Sequence, residues 1–207
     1  TRGIFTTSRG VEMRYINYFM PSHLIFGSLY LLGQKIDEAV RSKRAIHAPY
    51  PTICVGNFQA GGTGKTPATL WVAKQLSALG YSPIIIIRGY KGTVSKSTIV
   101  DSKDAYAYGD ETVLHARHFP TIVGKRRLES ARLAQNLPGD KKVLVMDDGL
   151  QHYELLKDFS IVCQNRVRFE LDSMLPIGRL RQLPHKNIDA VLSQINEADY
   201  QLVESWK

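Results

Sequence analysis

The sequence predicts an α/β fold with a mainly parallel sheet flanked by helices, preceded by an amphipathic N-terminal helix. Three observations carry this. From Pro51 onward, short apolar runs alternate with stretches of helical character. A glycine-rich turn, Gln59-Ala-Gly-Gly-Thr-Gly-Lys-Thr66, joins the first run to the first helix after it. A later apolar run, Val143-Leu-Val-Met-Asp-Asp-Gly149, ends in two carboxylates.

The chain is read as three parts: residues 1–12, an upstream or added segment; 13–48, a helical segment suited to a membrane interface; and 49–207, the α/β core. Met13 is read as the natural start. From Tyr15 to Gln34 the chain lacks formal charge apart from His23, but Asn17, Pro21, Ser22, His23 and Ser28 interrupt it. Pro21 suits the first turn of a helix. Ile25, Leu29, Leu32, Ile36 and Val40 then recur every three or four residues, and Arg41, Lys43 and Arg44 close the segment. An apolar stripe ending in a basic cluster suits a helix lying in a membrane interface. A helix packed on its own domain has the same pattern, so both readings stand, with a spanning helix third.

In the core, Thr52 to Val55 reads as a buried strand and Lys65 to Leu79 as a helix stopped by Gly80. Pro83 to Arg88 is a β-branched strand. Asp110 to His118 reads as a helix, Thr121 to Gly124 as a strand and Lys125 to Asn136 as a helix. Lys142 to Met146, Ser160 to Cys163 and Asp189 to Leu192 read as strands. Arg166 to Lys186 is the least regular part. There is no internal repeat and no low-complexity tract.

The net charge of +8 suits an anionic partner or plain solubility. The positive charge is dispersed and not interleaved with aromatics, which speaks against nucleic acid. Cys54 and Cys163 each sit in an apolar run, as buried reduced thiols do, and show no metal-ligand spacing. The oligomeric state is left open.

The glycine-rich turn lies between a strand and a helix, where a phosphate-binding loop belongs. Gly61, Gly62 and Gly64 let backbone N–H groups turn inward, and the helix N-terminus adds partial positive charge. With Gln59, Ala60 and Thr63 they form the expected ATP cradle. Lys65 reaches the outer phosphates and Thr66 offers its hydroxyl to Mg²⁺. Gln59 stands where the common pattern has glycine. Asp147 is the strand-end carboxylate expected to organise Mg²⁺; an Asp-Gly turn at a strand end is the plainer alternative. In Tyr108-Gly-Asp-Glu-Thr112, the residues alone read as an N-cap, Asp110, and a dipole-favouring Glu111.

Together these motifs resemble the tetraacyldisaccharide 4'-kinase family, the lipid A 4'-kinases. Val55-Gly-Asn-Phe-Gln-Ala-Gly-Gly-Thr-Gly-Lys-Thr-Pro67 looks like its signature, in which the position of Gln59 is commonly not glycine. Arg88-Gly-Tyr90, Gly109-Asp-Glu111, Asp147-Asp-Gly-Leu-Gln-His152 and Leu175-Pro-Ile-Gly-Arg-Leu-Arg181 recur in the family's order, from about Met13 to Asp199. The resemblance implies a P-loop NTPase-like kinase at the cytoplasmic face of the bacterial inner membrane. Its reaction moves the γ-phosphate of ATP to the 4'-hydroxyl of a lipid A disaccharide 1-phosphate. It implies Asp110 as catalytic base, with Lys65 catalytic as well as phosphate-binding, and Thr66, Asp147, Asp148 and Glu111 around Mg²⁺. Departures are Thr112 for a usual proline, Arg179 for a usual proline, Gln182 for a usual glutamate, and Cys163-Gln-Asn165 for a more acidic strand end. The family also continues past Lys207, with a histidine that works with the catalytic aspartate; His152 and His185 are not at that position. The alternative is therefore a truncated, non-catalytic nucleotide-binding relative. A GTPase-like switch is a third class, for which Asn187-Ile-Asp189 is a poor base-reading stretch.

Overall fold

The computed structural model describes residues 21–59, 64–90, 92–101, 105–164, 175, 179–182, 188–194 and 200–204. The 1–12 segment, the start of the 13–48 segment, most of 166–186, and Ala60, Gly61, Gly62 and Thr63 lie outside the described residues, as does the side chain of Ile25.

Eight strands form one sheet in the order β3-β4-β2-β5-β1-β6-β7-β8. They are β1 Thr52–Gly56, β2 Ser82–Ile87, β3 Thr98–Ile99, β4 Thr121–Val123, β5 Lys142–Asp147, β6 Phe159–Gln164, β7 Ala190–Gln194 and β8 Tyr200–Glu204. The pairings from β4 across to β7 are parallel, and β3 and β8 add antiparallel edges. The inner strands are covered on both faces, so their sequences are continuous apolar runs rather than alternating ones. Alternate residues feed two cores. Cys54, Ile84, Ile86, Leu144 and Met146 pack on one face with Ala131 and Ala134. Val55, Val145, Ile161 and Cys163 pack on the other with Ala68 and Val72.

Helix α1 spans Pro21–Ser42 and α2 Lys65–Ala78. The short α3, Ala105–Tyr108, leads into α4, Asp110–Ala116, and α5 is Arg127–Leu133. Pro67 falls within the first turn of α2, where its missing N–H costs nothing. Gly80, with φ 82°, ends that helix: its N–H reaches the Ser77 carbonyl and the Tyr81 N–H the Leu76 carbonyl. The expected helix over Lys125 to Asn136 is shorter than predicted. It begins at Arg127, after an extended Arg126, and Ala134–Asn136 tighten into a 3₁₀ turn. Three elements escape sequence reading: β3 is two residues long, α3 is one turn, and β8 mixes Gln201 and Glu204 into its apolar residues.

Leu29, Leu32, Ile36 and Val40 on α1 are 59%, 57%, 56% and 55% exposed. The predicted apolar stripe therefore does not pack on the described part of the domain. The end of α1 is tied by Arg41, which pairs with Asp37 at 2.6 Å and reaches Glu154 at 3.4 Å. No helix among the described residues is long and apolar enough to cross a membrane.

The loop leaving β2 crosses the α3–α4 junction at very short range. Gly109 has φ 86° and ψ 149°, a conformation almost restricted to glycine, and a Cβ there would lie 2.5 Å from the Tyr90 carbonyl oxygen. The Thr93 N–H also bonds the Ala107 carbonyl at 3.0 Å. Gly109→Ala is expected to lower stability by about 1–3 kcal/mol in urea unfolding. Gly33→Ala, in open space on α1, is expected to be neutral or to stabilise by up to about 1 kcal/mol. Equal effects at the two positions would remove the argument for close approach at Gly109.

Candidate active site

The connection after β1 leads toward β2 on one side, whereas the chain after β5 reaches β6 on the other. The carboxyl ends of adjacent β1 and β5 thus flank a crevice of the kind where open α/β sheets bind ligands. Val55 is in register with Asp147, so the first residues of the loop and the end of β5 lie side by side.

Asn57 fixes the start of the loop. It is buried, its Nδ2 donates to the Cys163 carbonyl at 2.6 Å, and its Oδ1 accepts the Gln59 N–H at 2.9 Å. Gln59 then bridges Leu180 in antiparallel fashion, and the Arg181 N–H bonds the Phe58 carbonyl at 2.7 Å. Among the described non-glycine residues only Asp148 has positive φ. Gln59 thus sits in a short paired segment that makes no demand for glycine, which accounts for the departure from the common pattern.

The loop ends at Gly64, whose φ of 73° turns the chain into α2. Lys65 and Thr66 are the first two helical residues. The Lys65 Nζ lies 3.8 Å from Asp148 Oδ1, and the Thr66 hydroxyl donates to Asp147 Oδ2 at 3.3 Å. Asp147 is only 2% exposed. Its Oδ2 also meets His115 Nε2 at 2.7 Å, and its main-chain oxygen accepts from Arg127 at 3.0 Å. Asp148, at φ 52°, bonds the Val55 carbonyl through its N–H, and its Oδ2 accepts from Arg181 at 2.9 Å. Asp147 Oδ1 and Asp148 Oδ1 are buried and lack a hydrogen-bond partner among the described residues.

Asp110 and Glu111 form the first turn of α4. The cap position belongs to Gly109, so Asp110 is the first helical residue and not the N-cap. Glu111 keeps access to solvent, yet partial burial and then the nearby Asp147 charge hold its carboxyl above the usual range, against Lys65 and His115. The structure thus brings Lys65, Thr66, Asp147 and Asp148 into direct contact and sets Glu111 within their field. Asp110 precedes Glu111 in the same turn and is exposed.

The sequence and the fold recur in known proteins. Residues 19–207 match the family model of the tetraacyldisaccharide-1-P 4'-kinases, LpxK. The chain belongs to that family. It is 34% identical over 186 residues to the tetraacyldisaccharide 4'-kinase of Vibrio campbellii, spanning 87% of this chain and 55% of that protein. It is 38% identical over 161 residues to that of Rhodopseudomonas palustris, spanning 76% and 46%. Its fold matches the crystal structure of the "apo" form of LpxK from Aquifex aeolicus in complex with ATP. The TM-score is 0.73 and the identity 29%, over 86% of this chain and 59% of that one. The mostly parallel sheet flanked by helices is therefore the P-loop kinase fold of LpxK. The chain spans about half the length of the curated LpxK relatives it matches.

Sequence reading missed three side chains of this site. Arg181, quoted only as part of a motif, pairs with Asp148. Arg127 is 3% exposed, and burial pushes its guanidinium down to about 10 against the pull of Asp147. Nothing in its helical context marks an arginine as internal. His115 is fully buried; its one legible signal is its place four residues after Glu111, on the same helix face. His152 closes the Asp147 motif. Burial, then the Arg127 charge, depress its imidazole from 6.5 to about 4. The unfolded chain binds this proton more readily, so the stability involved is present above pH 6.5 and lost as the pH falls toward 4. His152→Gln is expected to lose less stability than wild type over that interval in urea titrations at stepped pH. Parallel curves would show that His152 is not held unprotonated by the fold.

Proposed function

We propose that this chain is the nucleotide-binding portion of an ATP-dependent kinase that phosphorylates the 4'-hydroxyl of a lipid A disaccharide 1-phosphate. The observation that carries the reading is the Thr66–Asp147 hydrogen bond, which joins the end of the glycine-rich loop to the carboxylate of the neighbouring strand. In this reading Gln59, Ala60, Gly61, Gly62, Thr63 and Gly64 line the phosphates, and Lys65 neutralises charge developing on the transferred group. The acceptor oxygen attacks the γ-phosphorus, the bond to the β–γ bridging oxygen breaks, and ADP leaves. Asp110 takes the acceptor's proton.

The residues present suit Mg²⁺. Thr66 and Asp147 offer hard oxygen donors, with Asp148 and Glu111 beside them, and the unpartnered Asp147 Oδ1 is a buried acceptor. Among the described residues no three His, Cys, Asp or Glu side chains form a metal cage. Magnesium in nucleotide sites commonly relies on one or two carboxylates plus phosphate and water. The ion would supply charge neutralisation on the phosphates.

The exposed stripe Leu29, Leu32, Ile36 and Val40 supports a second element of the proposal. Residues 13–48 attach the 49–207 core to the cytoplasmic face of the inner membrane, where a lipid acceptor resides, without spanning it. Arg41, Lys43 and Arg44 add attraction to anionic headgroups.

The functional test uses the chain extended to the length of its relatives. Lys65→Ala is expected to weaken Mg-ATP binding about tenfold or more in calorimetry, on the scale of a lost charge-assisted hydrogen bond. Asp110→Asn is expected to leave that affinity nearly unchanged while reducing phosphate transfer to the disaccharide by about a hundredfold to ten-thousandfold. ATP binding without transfer in the wild-type extended chain would make it a non-catalytic nucleotide-binding relative. For the membrane, Leu32→Glu with Ile36→Glu is expected to abolish co-sedimentation with anionic phospholipid vesicles. Unchanged sedimentation would take the stripe out of the interface.

A further inference from the structure

Asp147 is held unequally by its two neighbours. Its Oδ2 meets His115 Nε2 at 2.7 Å and the Thr66 hydroxyl at 3.3 Å. The first is a short hydrogen bond and the second a long one, so His115 dominates the placement of the carboxylate. The ring is assigned its Nε2-protonated tautomer, to which the carboxylate oxygen serves as acceptor. The ring belongs to α4, is 0% exposed, and its Nδ1 lacks a hydrogen-bond partner among the described residues. Its polar engagement among those residues is thus the one bond to Asp147. The terminal torsion of an aspartate is intrinsically broad, and a single long bond from Thr66 would leave it free to rotate. With His115 in place, Oδ2 is turned to α4 and Oδ1 is left without a donor.

We propose that His115 is a positioning residue: its Nε2–H fixes the Asp147 carboxylate so that Oδ1 is presented to a divalent cation bound with the nucleotide. This rests on the reading of Asp147 as the metal-organising carboxylate. His115 touches neither nucleotide nor acceptor and acts through Asp147 alone. It also couples α4 to the strand edge, so the helix that begins with Asp110 and Glu111 is tied at its last turn to the carboxylate its first turn faces. Partners that orient a metal ligand typically contribute tenfold to a hundredfold in metal affinity.

The test measures ATP affinity of the whole chain by calorimetry, once with Mg²⁺ and once with EDTA, with Mn²⁺ titration by electron paramagnetic resonance as a direct metal readout. His115→Leu keeps the apolar volume and removes the donor; His115→Gln returns an N–H at a similar reach. His115→Leu is expected to lose about tenfold to a hundredfold in affinity with Mg²⁺ and for Mn²⁺, to match wild type in EDTA, and to be largely rescued by His115→Gln. A full Mg²⁺ gain in His115→Leu would overturn the positioning role and leave the site reading intact. So would an equal loss with and without metal accompanied by a lower melting temperature, the signature of a merely structural histidine. Wild-type binding indifferent to Mg²⁺ would overturn the metal reading of Asp147 and the role of His115 with it. Should His115→Leu fail to fold, His115→Asn, too short to reach Oδ2, takes its place under the same outcomes.

Discussion

The parallel pairing of β1 with β5 is the constraint on which the rest depends. Because Val55 lies opposite Asp147, the strand that feeds the glycine-rich loop and the strand that ends in carboxylates finish at the same height. A slip of one residue would turn Asp147 to the opposite face of the sheet. Its carboxylate would then leave Thr66 and enter the core that holds Leu144 and Met146. The register is protected by burial on both sides: Val145 packs beneath α2, while Leu144 and Met146 pack on the opposite face with residues of α5. Hydrophobic packing that carries no chemistry thus sets the site's geometry to within a hydrogen bond.

The glycines at the edge of the sheet extend that control to α4. Gly109 lets the α3–α4 junction pass against the loop after β2, and this contact helps fix the start of α4, whose Glu111 lies in the field of Asp147 and Lys65. A Cβ at Gly89 would meet the Val123 side chain, so the same loop is held close to β4. The motifs Arg88-Gly-Tyr90 and Gly109-Asp-Glu111 are far apart in sequence but form one device: two backbones close enough to place acidic side chains without the freedom of a long loop.

Strands buried on both faces announce themselves as apolar runs, and β1, β2, β5 and β6 were legible for that reason. So were α2, with its glycine-rich start and Gly80 stop, and the meeting of Thr66 with Asp147, because a glycine-rich strand-to-helix turn and an apolar run ending in a carboxylate are local patterns. What escaped carries at most a weak local pattern. Arg127 and His115 are internal because each reaches in to Asp147 at the end of β5, a fact of tertiary structure. Their residue types suggest a surface equally well. The capping role that the residues alone gave Asp110 failed for a local reason: Gly109 already turns the chain, and the helix begins one residue earlier than a side-chain cap would require. The two readings of α1 could not be separated from its sequence, since an interior face and an interface-facing one have the same period.

Several buried side-chain polar atoms without hydrogen-bond partners among the described residues lie at this edge. They include His115 Nδ1, Arg127 Nη1, Asp147 Oδ1 and Asp148 Oδ1, on residues at the end of β5 or bonded to it. Each such group costs a fold roughly 1–3 kcal/mol. A core selected for stability alone would replace them with apolar side chains, as the same strand does at Val143, Leu144 and Val145. The set holds an arginine donor and carboxylate oxygens side by side. Polar groups left unsatisfied beside two well-packed cores are a feature that packing for stability does not explain.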